Sequence, residues 1–187
     1  MMPRFPKQVR VAAVEPPYDR DTAAALEALG PPIALFRVLA RRPDRAHGVH
    51  GWGRYYLSRR SALTLRQREL VIHRTTARCG ADYEWGVHVA MFAERAGLDD
   101  AQLASLASGR PGDACWGYVD RAVLRAVDAL HERHDLNDAQ WAALVGAVGE
   151  EGAIDVLLLC GWYHAISFAV RALRLPLEPG TAPIGVR

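Results

Sequence analysis

The sequence predicts an all-α fold: a single domain of about eight helices. Three observations carry this expectation. Apolar residues recur at helical spacing from Asp21 almost to the C-terminal end, strand-type alternation is absent, and capping residues and glycines stand where helices would begin and stop. A chain of 187 residues, half of them hydrophobic and 24% charged, can build one sizeable core. A fold of this length hides roughly 70% of the surface its unfolded chain exposes.

Residues 1–20 contain Pro3, Pro6, Pro16 and Pro17 and read as an extended N-terminal arm preceding a domain at 21–180. Helical spacing then covers Leu26 and Leu29, Ile33 to Ala40, and Pro43 to Arg60. Thr64-Leu65-Arg66-Gln67 is a capping box that opens a helix running toward Gly80, which suits a left-handed C-terminal cap. Asp82 is placed to cap the next helix, Tyr83 to Ala96, which Gly97 stops. A short helix from Asp99 to Ala107 precedes a turn-rich break at 108–112. Tyr118 to His134 follows, then a helix opened by Asn137-Asp138-Ala139-Gln140, and last a long one from Glu151 to about Leu173.

Composition excludes several classes. Basic residues outnumber acidic ones by a formal charge of only +2, and one lysine (Lys7) accompanies many arginines with no block of like charge, so no nucleic-acid partner is expected. Cys79, Cys115 and Cys160 are too far apart for a Cys-x-x-Cys pair, which implies a reducing, cytoplasmic setting. The apolar run Val156 to Val170 is shorter than the roughly 20 residues a membrane span needs, so it reads as a buried helix and no membrane partner is expected.

The chemistry-bearing stretch is Arg66 to His88. Glu84 and His88 are four apart and share a helix face, and a carboxylate beside an imidazole is a competent proton-transfer pair. Glu69 sits among Leu65, Leu70, Val71 and Ile72, where a carboxylate needs a partner. A tight turn at Cys79 to Asp82 would fold the two helices into a hairpin that brings Glu69 against His88. Tyr163 and His164 are candidates to line a pocket. Arg66, Arg68, Arg74 and Arg78 are candidates to hold a substrate carboxylate. His47 with His50 and His131 with His134 have ligand-like spacing, but nothing at helical spacing completes either set, so no metal is expected. Trp52, Trp116 and Trp141 read as packing or interface anchors.

This stretch resembles the signature of the carboxymuconolactone decarboxylase and alkylhydroperoxidase-D superfamily, whose helical hairpin carries an upstream Glu followed by Cys-x-x-Cys-x-x-x-His. With the motif His on His88, the two Cys positions fall on Ala81 and Glu84 and the upstream Glu on Glu69. The form Tyr83-Glu84-Trp85-Gly86-Val87-His88 is similar to the decarboxylase-like branch, which lacks the thiol pair. So are Cys160 to Ser167 and Pro176-Leu177-Glu178-Pro179. The resemblance implies an enzyme without a cofactor that uses Glu84, His88 and Glu69 for acid/base chemistry on a small carboxylated or carbonyl substrate. It also implies a homo-oligomer, trimer or hexamer, which an apolar C-terminal helix and a Pro-rich arm would support. Cys79, Tyr83 and His73 are secondary candidates for substrate contact. Two other readings remain open on the residues: an antioxidant peroxidase acting through Cys79 alone, and a ligand-binding helical oligomer without catalysis.

Overall fold

The computed structural model describes residues 8–186. Among them eight helices and no strand are found: α1 (Arg20–Leu29), α2 (Ala34–Leu39), α3 (Pro43–Tyr56), α4 (Leu65–Arg78), α5 (Asp82–Phe92), α6 (Asp100–Ser108), α7 (Tyr118–Arg133) and α8 (Asp138–Leu173). Both expected capping boxes form, Thr64 with Gln67 and Asn137 with Gln140, and Asp99 with Gln102 makes a third. Each gives two orphan backbone amides at a helix start a side-chain acceptor. The expected boundary near residue 150 survives as a kink in α8. Gly149 has φ 75° and ψ 170°, a conformation that excludes most side chains.

Two helices end earlier than expected. α3 stops at Tyr56 and not at Arg60, because the Asp155 carboxylate on α8 captures the loop: it accepts from Ser61 Oγ at 2.7 Å and from the Ala62 amide at 2.8 Å. α5 stops at Phe92, and a tight turn then closes on Gly97 at φ 64°. Asp82 is the first residue of α5 and not its cap. Its carboxylate accepts from the Ile184 amide in the C-terminal tail.

α4 lies at the centre, against α5, α6, α7 and α8, and every residue from Arg68 to Thr76 is buried. Leu70, Ile72, Leu106, Leu124, Leu144 and Leu159 form the heart of the main core. Each such side chain contributes about 1.5–3 kcal/mol relative to exposure. A second cluster, with Leu35, Tyr83, Val87 and Ile166, joins α2 to α5 and α8. Leu26 and Ala46 belong to a third, between α1 and α3. By length and composition α8 could cross a membrane, but half of its apolar window is buried in the bundle, where it is a core helix.

The four arginines proposed for substrate binding are all engaged elsewhere. Arg66 pairs with Asp120, Arg74 with Asp128 and Arg78 with Glu132. Each pair is separated by 54 positions, so α4 and α7 run side by side in the same direction, laced by ion pairs. Arg68 is buried and donates to the Tyr56 and Ser58 carbonyls. The described part of the arm packs on its own chain. The Arg10 amide donates to the Leu173 carbonyl, the Val14 amide to that of Arg37, and Glu15 pairs with Arg37.

The C-terminal tail docks on α5. Glu178 accepts from the Tyr83 hydroxyl and from the Ala34 amide, each at 2.5 Å. A Cβ on Gly86 would lie 2.7 Å from the Ala182 carbonyl oxygen and 3.0 Å from Thr181 Cβ. Gly86→Ala is therefore expected to cost about 1–3 kcal/mol by overpacking, read as a lower midpoint in urea. An unchanged midpoint would mean that the tail does not dock there.

Candidate active site

The turn between α4 and α5 is closed by the Ala81 amide on the Thr76 carbonyl, with Gly80 at φ 63°. This hairpin brings the three acid/base candidates together. Glu69 is 0% exposed, His88 4% and Glu84 6%, so all three are out of bulk water. Glu69 Oε2 lies 2.9 Å from His88 Nδ1. On the other side of the ring, Nε2 is 2.9 Å from the Tyr163 hydroxyl of α8 and 3.6 Å from Glu84 Oε1.

Charge follows from this geometry. Burial alone would lower the His88 pKa, but the Glu69 carboxylate outweighs it, and with help from Glu84 the ring is raised to about 9. Burial opposes the Glu69 charge, yet its attraction to His88, with lesser help from His73 and Arg68, leaves its carboxyl below the usual value. At neutral pH the pair is a carboxylate and an imidazolium. His88 Nδ1–H donates to Glu69 and Nε2–H to the Tyr163 oxygen. Burial, then the nearby carboxylates Glu84 and Glu69, hold the Tyr163 hydroxyl well above its ordinary pKa, so it keeps its own proton. Glu84 Oε2 is buried and makes no hydrogen bond among the described residues, which leaves an acceptor free.

Glu84, His88 and Tyr163 open into a cavity of about 280 Å³. Its other walls are apolar and include Leu35, Val87, Met91, Phe92 and Ile166, with Arg54 and His50 of α3 as polar exceptions. Arg54 is exposed and has no hydrogen-bond or ion-pair partner among the described residues. Glu69 stands behind His88 and does not line the cavity.

The secondary candidates lie outside this cavity. His73 is fully buried, and burial lowers its pKa to about 4. It is therefore neutral although Nδ1 is 3.5 Å from Glu69 Oε2, and Nδ1–H donates to the Glu69 main-chain carbonyl at 2.8 Å. Tyr83 is structural: its hydroxyl donates to Glu178 and accepts from the Leu35 amide, joining α5 to the tail and α2. Cys79 caps α4 facing His131, 4.0 Å from its Nδ1. Burial raises its thiol pKa. His164 also faces His131 and not the cavity. Trp116 is buried and donates to Ser105 Oγ, while Trp52 packs on Trp162 and Trp141 is partly exposed. Arg54 carried no signal beyond its position on the helix of His50. Of the two pocket candidates on the last helix, Tyr163 lines the cavity and His164 does not.

The fold is all-helical and built on a hairpin in which Glu69, His88 and Tyr163 form a buried hydrogen-bonded chain. The family model for carboxymuconolactone decarboxylase matches residues 48–132, and this part of the chain is similar to that family. Among solved structures, the debrominase Bmp8, as a cysteine-to-alanine variant in complex with 2,3,4-tribromopyrrole, is similar. It has a TM-score of 0.73 and 14% identity, over 94% of this chain and 95% of that one. A protein of unknown function from Agrobacterium tumefaciens, named as a candidate antioxidant defence protein AhpD, has a TM-score of 0.66 and 17% identity, over 74% of this chain and 93% of that one. No match was found among curated proteins.

Proposed function

We propose that this protein is a cofactor-independent enzyme of the decarboxylase-like type. It would act by proton transfer on a small, largely apolar carbonyl substrate bearing a carboxylate. One observation carries the reading: a buried, charged Glu69–His88 pair whose imidazole reaches the Tyr163 hydroxyl at the wall of an apolar cavity. The Tyr163 hydroxyl, polarised by His88 Nε2–H, donates to the oxygen on which negative charge develops as carbon dioxide leaves or a carbon acid ionises. Glu84, with its free Oε2, carries a proton to or from the adjacent carbon. Glu69 holds the ring in place and in its charged state. Arg54 at the mouth suits the substrate carboxylate. The similar debrominase holds a small planar ring, a class of molecule that a cavity of about 280 Å³ can accept.

A homo-oligomer and a cytoplasmic setting belong to the same proposal. Ile154, Leu158 and Phe168 are exposed on α8 at 44%, 43% and 66%, a stripe that a second copy would cover. The lone-thiol alternative is disfavoured because no cysteine among the described residues lines the cavity.

The test is deuterium exchange from heavy water into a panel of small keto acids and lactone acids. Exchange or carbon dioxide release is expected in the native protein and in Cys79→Ser. Arg54→Gln should raise KM about tenfold or more with little change in kcat, since it removes a charge-assisted contact made equally by bound substrate and transition state. Consumption of an alkyl hydroperoxide with dithiothreitol that disappears in Cys79→Ser would overturn the proposal in favour of thiol chemistry.

A further inference from the structure

Away from the cavity, three helices bring a thiol and two imidazoles together. Cys79 caps α4, His131 lies in the last turn of α7, and His164 is in α8. Their ligand atoms all lie within 4.8 Å of one another: Cys79 Sγ is 4.0 Å from His131 Nδ1, which is 2.9 Å from His164 Nε2. Both separations can be spanned by a single ion with bonds of about 2.3 Å to sulfur and about 2.0–2.1 Å to nitrogen. We propose that Cys79, His131 and His164 form a binding site for one zinc-type divalent ion.

The surroundings support ligation. His164 Nδ1 is 2.8 Å from the Cys160 carbonyl, which only accepts, so Nδ1 carries the proton and Nε2 presents a lone pair toward His131. A ring oriented by a second-nitrogen hydrogen bond to a carbonyl is the usual outer arrangement of a metal-bound histidine. Without an ion, the contact between His131 and His164 needs a proton on His131 Nδ1. Binding moves that proton to His131 Nε2 through solvent and releases the thiol proton of Cys79, so one proton leaves per ion bound. Both histidines are partly exposed, which gives an ion a route from solvent and leaves a fourth position for water. The donor set, one thiolate and two imidazoles, suits zinc and disfavours magnesium or calcium. Asp128 and Glu132 near His131 offset the charges of Arg78 and Arg171. The site ties the C-terminal ends of α4 and α7 to the C-terminal half of α8.

The test uses the full chain, purified with reductant and chelator and then freed of both. Zinc titrated into it should bind at one equivalent per chain and raise the melting temperature. Cobalt(II) in its place should give a thiolate-to-cobalt charge-transfer band in the near ultraviolet. Cys79→Ser should abolish the band. His131→Ala and His164→Ala should each weaken binding beyond the about 10–100-fold that loss of an outer partner causes. Cys160→Ser and Glu84→Gln should leave stoichiometry and band unchanged, which separates this site from the acid/base one. Absence of the band in the native protein, or a band that survives Cys79→Ser, would overturn the proposal. The native spectrum alone decides whether sulfur ligates, even if a variant fails to fold.

Discussion

Glu84→Gln is expected to lower kcat by about 10²–10⁴-fold, the usual contribution of a positioned acid or base. The melting temperature should stay close to that of the native protein. The two effects separate because of what surrounds this side chain. Glu84 Oε2 has no hydrogen-bond partner among the described residues, and Oε1 is 3.6 Å from His88 Nε2, so the amide loses little that holds the fold. Tyr163→Phe should act similarly, removing the proton donor while keeping the ring that packs edge-on to His88 at 5.2 Å. His88→Ala is a poorer probe, because it strands the buried Glu69 carboxylate and confuses lost stability with lost chemistry. A folded Glu84→Gln protein that turns over at the native rate on a substrate found by the exchange screen would remove Glu84 from the mechanism.

The convergence of Glu69, Glu84 and His88 was legible in the sequence because its geometry is local. Glu69, Glu84 and His88 lie on two helices joined by a short turn, and each helix announces itself by capping residues, glycine and periodicity. Within such a hairpin, spacing in sequence becomes distance in space almost by arithmetic. What the sequence hid lies across long loops. Tyr163 was a pocket candidate, but its pairing with His88, 75 positions away, was not foreseen. The arginines of α4 were misjudged because their carboxylate partners stand 54 positions away on α7, where periodicity fixes the helix but not its neighbour. The same limit concealed the thiol–imidazole cluster. His131 was weighed with His134, its neighbour in sequence, but His134 is the left-handed cap of α7 while His131 meets His164 and Cys79 from other helices.

Stability should fall on the alkaline side because of the same buried pair that prepares the site. The folded-state pKa of His88, about 9, is above its ordinary 6.5, so its contribution is complete below pH 6.5 and is lost as pH rises through about 9. Glu69 has the opposite sign. Its carboxyl is held below 4.5, so its contribution is present above pH 4.5 and is lost as pH falls through the depressed value. The two statements describe one interaction, strongest between about pH 4.5 and 6.5, and its magnitude counts once. The displacement of His88 corresponds to roughly 3 kcal/mol. Urea unfolding of the native protein relative to Glu69→Gln at pH 5.5, 7.5 and 9.5 isolates it, since other titrating groups are common to both chains. The variant should be about 3–5 kcal/mol less stable at pH 5.5. Most of that gap should close by pH 9.5, where native His88 has lost its proton. A gap constant across this range would mean that Glu69 and His88 meet as neutral hydrogen-bonded groups, and would remove the charged resting state on which the proton relay to Tyr163 depends.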